Sequence, residues 1–301
     1  MNACIEGIVT FAPQAIPNIQ IFGCIGGYDG LVNDNIAPLD RNNSTQISHL
    51  SGCVLKCGRS EEFTTPAGVQ KALATINRHK FDALVILGGN GSLSGAMKRL
   101  DANGVNIIGI PSTIDNDVFF TKNSLGFSSA FETSVAMVDN LNATMRTNNR
   151  DHVVQLMGRH HTDLAEYVGL ATFADIIDTI DNRHTPKQIA NIFNQNRQNG
   201  KTSNLMIMQE VKSTDVISEA VNTANYLSEL VKHTDKSRVR MTTPGHLQRG
   251  SPPSARDRWL AANYALKTIE QIKNNQFGVA IGLVGDYFIA VPLSKIMERP
   301  N

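Results

Sequence analysis

Two carboxylates stand two positions apart in GIPSTIDND, which runs from Gly109 to Asp117. Asp115 and Asp117 flank Asn116, directly after an apolar run and among small residues. Asp and Asn are turn formers, so a solvated turn accounts for the trio without any chemistry. A catalytic base beside a metal-binding carboxylate accounts for it more sharply. The motif alone does not decide between the two.

Three other stretches carry chemistry-bearing residues. GGNGS (88–92) offers glycines that let a ligand approach the backbone, followed by a helix start near Ser92 with N–H groups free for phosphate. RDHVVQLMGRH (150–160) places Arg150 and Arg159 at the two ends of an apolar segment. VRMTTPGHLQRGSPPSARDR (239–258) holds Arg240, His246 and Arg249. Guanidinium groups chelate phosphate, and His246 adds a donor. Any one of these suits a solvated charged surface equally well. Together with a Gly-rich turn they point to a phosphorylated substrate.

These residues need elements to position them. IQIFGCI (19–25), DALVILGG (82–89), VNIIGI (105–110), VVQLMG (153–158), NLMIMQE (204–210) and VAIGLVG (279–285) read as strands buried on both faces. Helical patterns lie between them. Residues 65–79 carry Thr65 as N-cap and Pro66 in the first turn, and 128–145 contain a capping-box-like Ser129-Ala-Phe-Glu132. Residues 185–200 end on Gly200 as a C-cap, and 213–233 repeat the amphipathic pattern. Strand alternating with helix implies α/β architecture with parallel sheets, whose ligands collect at the carboxyl ends of strands. GGNGS and PSTIDND both follow a strand directly.

Bulk properties set the remaining bounds. The 301 residues are 41% hydrophobic and 18% charged with a formal charge of +1, enough for one large or two medium domains. That charge gives no electrostatic case for nucleic acid or membrane partners. No apolar run reaches bilayer length, and MNACIEGIVTFAPQ, interrupted by Glu6, makes a poor signal peptide, so a cytoplasmic protein is expected. Cys4, Cys24, Cys53 and Cys57 lack zinc-site spacing and read as free thiols. His160 and His161 are adjacent and point apart, so they do not share a metal.

Taken in order, GYDGL (27–31), GRSEEF (58–63), LGGNGSLSGA (87–96), PSTIDND (111–117), SLGFSSA (124–130), VVQLMGRH (153–160) and PGHLQRG (244–250) resemble the bacterial-type ATP-dependent 6-phosphofructokinases of glycolysis. The resemblance runs from Met1 to about residue 295. It implies two αβα-sandwich domains with largely parallel sheets. A nucleotide-binding domain would comprise 1–126 plus about 248–285, and a sugar-phosphate-binding domain 127–247 plus about 286–301.

The resemblance also assigns roles. Asp115 would take the proton from the sugar 1-hydroxyl, Arg159 would reach the transferring phosphoryl group, and Thr113 would sit beside the reacting centre. Asp117 would assist through Mg²⁺ and the sugar hydroxyl. Met157, Gly158 and Glu210 would hold the sugar, with His246 and Arg249 on the 6-phosphate. Arg150 and Arg240 match residues that reach fructose 6-phosphate from a neighbouring subunit, which implies a homotetramer. Tyr28, Arg59, Gly89, Asn90, Gly91 and Ser92 match the nucleotide site, and Asn90 and Asp117 the metal position. Pyrophosphate-using relatives carry Asp at Gly91 and Lys at Ser112, so the expected donor is ATP.

Three departures stand out. Asn90 occupies the place of the family's metal-binding Asp, and an amide is a poorer ligand for a hard dication. Met1-Asn2-Ala3 aligns just after the family's first strand and its GGDxPG phosphate loop, which leaves two explanations: an upstream start, or a degenerate paralogue. Glu6 and Thr10 replace arginines of the family's effector site, while Arg41 and Lys201 remain, so anionic effectors should bind poorly. The expectation is therefore a phosphofructokinase, impaired or intact. The alternative is a catalytically inactive sugar-phosphate-binding or regulatory paralogue of the same fold.

Overall fold

The computed structural model describes residues 1–159, 161–210, 216–234 and 238–296. His160 and residues 213–215 of the expected 213–233 helix lie outside the described residues. The chain divides into two units: Met1–Thr113, Asp117–Gly126 and Pro252–Asn301 form the first, and Ile114–Asn116 with Phe127–Ser251 the second.

The first unit opens with helix α1 (Asn2–Ala15), followed by strand β1 (Ile21–Cys24), α2 (Tyr28–Val32) and β2 (Ile36–Leu39). Then come α3 (Pro66–His79), β3 (Leu84–Gly88), α4 (Asn90–Arg99), β4 (Ile107–Thr113) and β5 (Leu125–Gly126). Its last part adds α9 (Ala255–Lys273), β10 (Val279–Val284) and β11 (Tyr287–Pro292). The main sheet runs β11-β10-β4-β3, with β5 also pairing β4; only the β10–β11 contact is antiparallel. Alternation along β4 serves two cores. Ile107 joins Leu93, Leu100, Phe63 and Val118 on one face, while Ile108 and Ile110 join Leu260, Tyr264 and Ile281 on the other. Cys4, Ile8 and Ala12, four residues apart on α1, pack into that second core with α9. Each fully buried Ile or Leu of these two cores contributes about 1.5–3 kcal/mol.

The second unit contains α5 (Phe127–Asn148), β6 (Asp151–Leu156), α6 (Asp163–Ala171) and β7 (Ile176–Asp178). It continues with α7 (Pro186–Gln198), β8 (Leu205–Gln209), α8 (Val216–His233) and β9 (Val239–Thr242). Its sheet, β7-β8-β6-β9, is wholly parallel. Val154, Leu156, Leu205 and Ile207 face α5 and α6, whereas Val153, Met206 and Met208 face α7 and α8. Both faces are covered, which is why Val153–Val154 in β6 and Leu205–Met208 in β8 are consecutive apolar residues.

Helix starts follow their caps. Thr65 Oγ1 accepts from Gly68 N, and Thr185 with Gln188 forms a full capping box. Four expectations need correction. Residues 19–25 do not make a buried parallel strand, because β1 pairs antiparallel with β2 in a separate two-stranded sheet. Ser129 is no cap, since α5 has already begun at Phe127 and buries it. Helix α4 begins at Asn90, two residues before Ser92. Residues 286–292 belong to the first unit, because β11 hydrogen-bonds along the length of β10, and 248–251 belong to the second. No helix among the described residues is long and apolar enough to cross a membrane.

Candidate active site

The unit boundary divides the aspartate motif. Thr113 ends β4 and its carbonyl accepts from Ser124 Oγ at 2.7 Å, within the first unit. Ile114, Asp115 and Asn116 belong to the second unit. Ile114 packs into its α5–α6 core, and Asn116 adopts φ +51°, with Nδ2 donating to Asp163 Oδ2 at 2.7 Å. Left-handed backbone is tolerated by Asn better than by most residues. Asp115 is thus fixed on both sides, half-buried, with Oδ1 wholly enclosed. Asp117 returns to the first unit, anchored by buried Val118.

In the second unit the remaining residues gather at the carboxyl ends of three neighbouring parallel strands. Met157, Gly158 and Arg159 follow β6, Glu210 follows β8, and His246 and Arg249 follow β9. Arg159, His246 and Arg249 are exposed, as groups meant to meet a solvated anion should be. The backbone beneath them is held by side chains the sequence reading missed. Gln248, fully buried, accepts from Met157 N at 3.3 Å through Oε1 and donates to Gly245 O at 3.1 Å. Gln209 Nε2 donates to Gly158 O at 2.6 Å and His161 O at 3.1 Å. Gly158 has φ +135°, and a Cβ there would meet His161 O at 2.9 Å, so the turn after β6 requires glycine. Arg183, held by buried Asp178 at 2.8 Å, donates to the carbonyls of Gln209 and Glu210. The available signal was adjacency, since Gln209 and Gln248 neighbour predicted residues.

Arg150 and Arg240 are not with this group. Arg150 precedes β6, and Arg240 pairs with His152 at the amino end of the same sheet. A six-residue strand spans about 20 Å, so these arginines cannot share a small ligand with Glu210 and His246 within one chain. His152, buried beside them, has its pKa lowered by burial and then by Arg240 and Arg150.

In the first unit, Gly89 caps α4 and Asn90, Gly91 and Ser92 form its first turn. The orphan N–H groups and positive end of the helix suit an anion. A Cβ at Gly91 would meet nothing within 4 Å, so the space beside that turn is open. Tyr28 stacks on Phe63 at 4.1 Å and donates to Ser92 O at 2.6 Å, which braces the turn; Arg59 is exposed. Asn90 Nδ2 donates to Asp117 O at 2.9 Å and to its Oδ2 at 2.8 Å. An N–H pointed at the carboxylate is the reverse of a shared cation ligand, so Asn90 and Asp117 in this geometry do not fit a resident magnesium ion. Among the described residues no group of three His, Cys, Asp or Glu side chains could hold one.

At the expected effector position, Glu6 accepts from the backbone N–H groups of Gln46, Ile47 and Ser48 at 2.7–3.0 Å. Arg41 donates to Thr10 O, and Lys201 pairs with Asp175.

The phosphofructokinase family model matches residues 1–272. The chain belongs to that family. It is 30% identical over 301 residues to an ATP-dependent 6-phosphofructokinase of Shouchella clausii, covering 100% of this chain and 91% of that one. It is 34% identical over 301 residues to one from Spiroplasma citri, covering 100% and 89%. A Saccharomyces cerevisiae phosphofructokinase structure superposes with TM-score 0.84 at 27% identity, over 99% of this chain and 43% of that much longer one. The α/β phosphofructokinase fold read from the motifs is therefore the fold of this family member.

Proposed function

We propose that the chain transfers the γ-phosphoryl group of ATP to the 1-hydroxyl of fructose 6-phosphate, giving fructose 1,6-bisphosphate in cytoplasmic glycolysis. The observation that carries this reading is the convergence of Arg159, Glu210, His246 and Arg249 at adjacent strand ends of the unit that also contains Asp115. Each role follows from charge and position. Arg249 supplies a cation and His246 a hydrogen-bond donor to the 6-phosphate, and Met157, Gly158 and Glu210 hold the sugar. Asp115 accepts the hydroxyl proton as the oxygen attacks phosphorus, Arg159 balances charge on the phosphoryl group, and Thr113 lies one residue before the loop that carries the base. The N–H groups at Gly89 to Ser92 receive the nucleotide phosphates, with Tyr28 and Arg59 alongside. Open space at Gly91 leaves room for a nucleotide's inner phosphate, which supports ATP over pyrophosphate. Arg150 and Arg240, remote from this cluster, serve the sugar phosphate of a neighbouring copy in a homotetramer.

A coupled assay for ADP release tests the proposal. ATP- and fructose 6-phosphate-dependent turnover is expected. A folded protein that binds fructose 6-phosphate and releases no ADP would instead be a binding or regulatory member of the family.

A further inference from the structure

Asn90 and Asp117 meet as donor and acceptor rather than as two ligands of a third partner. A single nitrogen, Asn90 Nδ2, contacts both the carbonyl and the Oδ2 of the same residue, which fixes the Asp117 side chain against its own backbone. Both residues are half-buried, where such a bond is little contested by water. Asn90 is also the first residue of α4, so the partial positive charge of the helix start lies at the same carboxylate. A hard dication needs oxygen ligands, and the Oδ2 facing it here is already turned to an N–H.

We infer that Asn90 is a positioning residue that orients the Asp117 carboxylate by hydrogen bonding, so that this chain keeps no resident divalent cation at the pair. Any cation arrives bound to the phosphates of the nucleotide, a clause that rests on the proposed function. The complementary change exposes the device. Asn90→Asp would set two carboxylates at about the present 2.8 Å, where both cannot stay ionised without a proton or a cation between them.

The test is Mn²⁺ titration by electron paramagnetic resonance without nucleotide, on the wild type, Asn90→Asp, Asp117→Asn and the double variant. The wild type and Asp117→Asn should show the same weak, non-stoichiometric binding. Asn90→Asp should gain one Mn²⁺ at least tenfold tighter, strengthening with pH and lost in the double variant. Stoichiometric binding by the wild type that disappears in Asp117→Asn overturns the inference. So does an Asn90→Asp protein with a wild-type melting curve and no gained ion. Should Asn90→Asp not fold, the wild-type and Asp117→Asn comparison decides alone. At saturating nucleotide–metal complex, wild-type rate should be flat against free Mg²⁺ and the Asn90→Asp rate should rise with it. Absence of turnover in every protein would sink the functional proposal and leave the Mn²⁺ result standing.

Discussion

A carboxylate serves as a base only when its oxygen is held still, because a near-attack geometry is lost within about an ångström. Asp115 meets this condition through its neighbours: Ile114 sits in the α5–α6 core and Asn116 is tied to Asp163. Asp115→Asn keeps the shape and removes the proton acceptor, so kcat should fall by roughly 10²–10⁴ with little change in sugar-phosphate binding. Steady-state kinetics beside isothermal titration checks both halves. His152 makes a separate statement about pH. Its folded pKa lies below the ordinary value of 6.5, chiefly through burial and then through Arg240 and Arg150. The unfolded chain therefore binds more protons between those two values, and stability rises with pH across that window. Stability should drop as pH falls from 6.5 through the lowered value, and His152→Gln should flatten that slope in urea titrations at several pH values.

Among the elements, legibility tracked burial and periodicity. Strands β3, β4, β6, β8 and β10 are covered and apolar, and their sequences show it. Strands β5, β7 and β9 are two to four residues long, too short for a run to mark them, while β2 (IAPL) and β11 (YFIAVP) are apolar but partly exposed, so they lack the signature of a covered strand. The residues proposed for catalysis and phosphate binding could be named from the sequence because the chemistry argued for them is in the side chain. Gln209, Gln248 and Arg183 act on carbonyls and amides brought close only by the fold, and nothing local in the sequence marks that. Gln248→Ala would leave the half-buried Met157 N–H without its acceptor, costing about 1–3 kcal/mol in urea unfolding and raising KM for fructose 6-phosphate more than it lowers kcat. Glu6 acts at the same scale. Burial alone would raise its pKa, yet the N–H groups of Gln46, Ser48 and Ile47 bring it below the ordinary range. With those donors already satisfied by an internal carboxylate, ADP and phosphoenolpyruvate should leave the fructose 6-phosphate saturation curve unmoved over millimolar concentrations.

For the molecule as a whole, the position of Arg150 and Arg240 at the amino end of the second sheet is decisive. If they complete the site of a neighbouring copy, Arg240→Ala and Arg249→Ala each lack one side of every site. Mixed tetramers of the two variants then contain some sites with both arginines. Neither variant alone should work well, and their co-assembled mixture should regain a measurable fraction of activity. No gain in a verified hybrid would mean that each chain is self-sufficient.

The path of the backbone limits how this protein can be taken apart. The chain passes from one unit to the other after Thr113, Asn116, Gly126 and Ser251. A gene cut at any single point frees neither unit whole. The long continuous piece of the second unit, 127–251, would keep Arg150, Arg159, Arg240, Arg249 and His246 yet leave behind Asp115, and with it the Ile114 side chain that packs into its hydrophobic interior. Such a fragment would carry the proposed phosphate-binding cluster over an unfilled core and lack the proposed base.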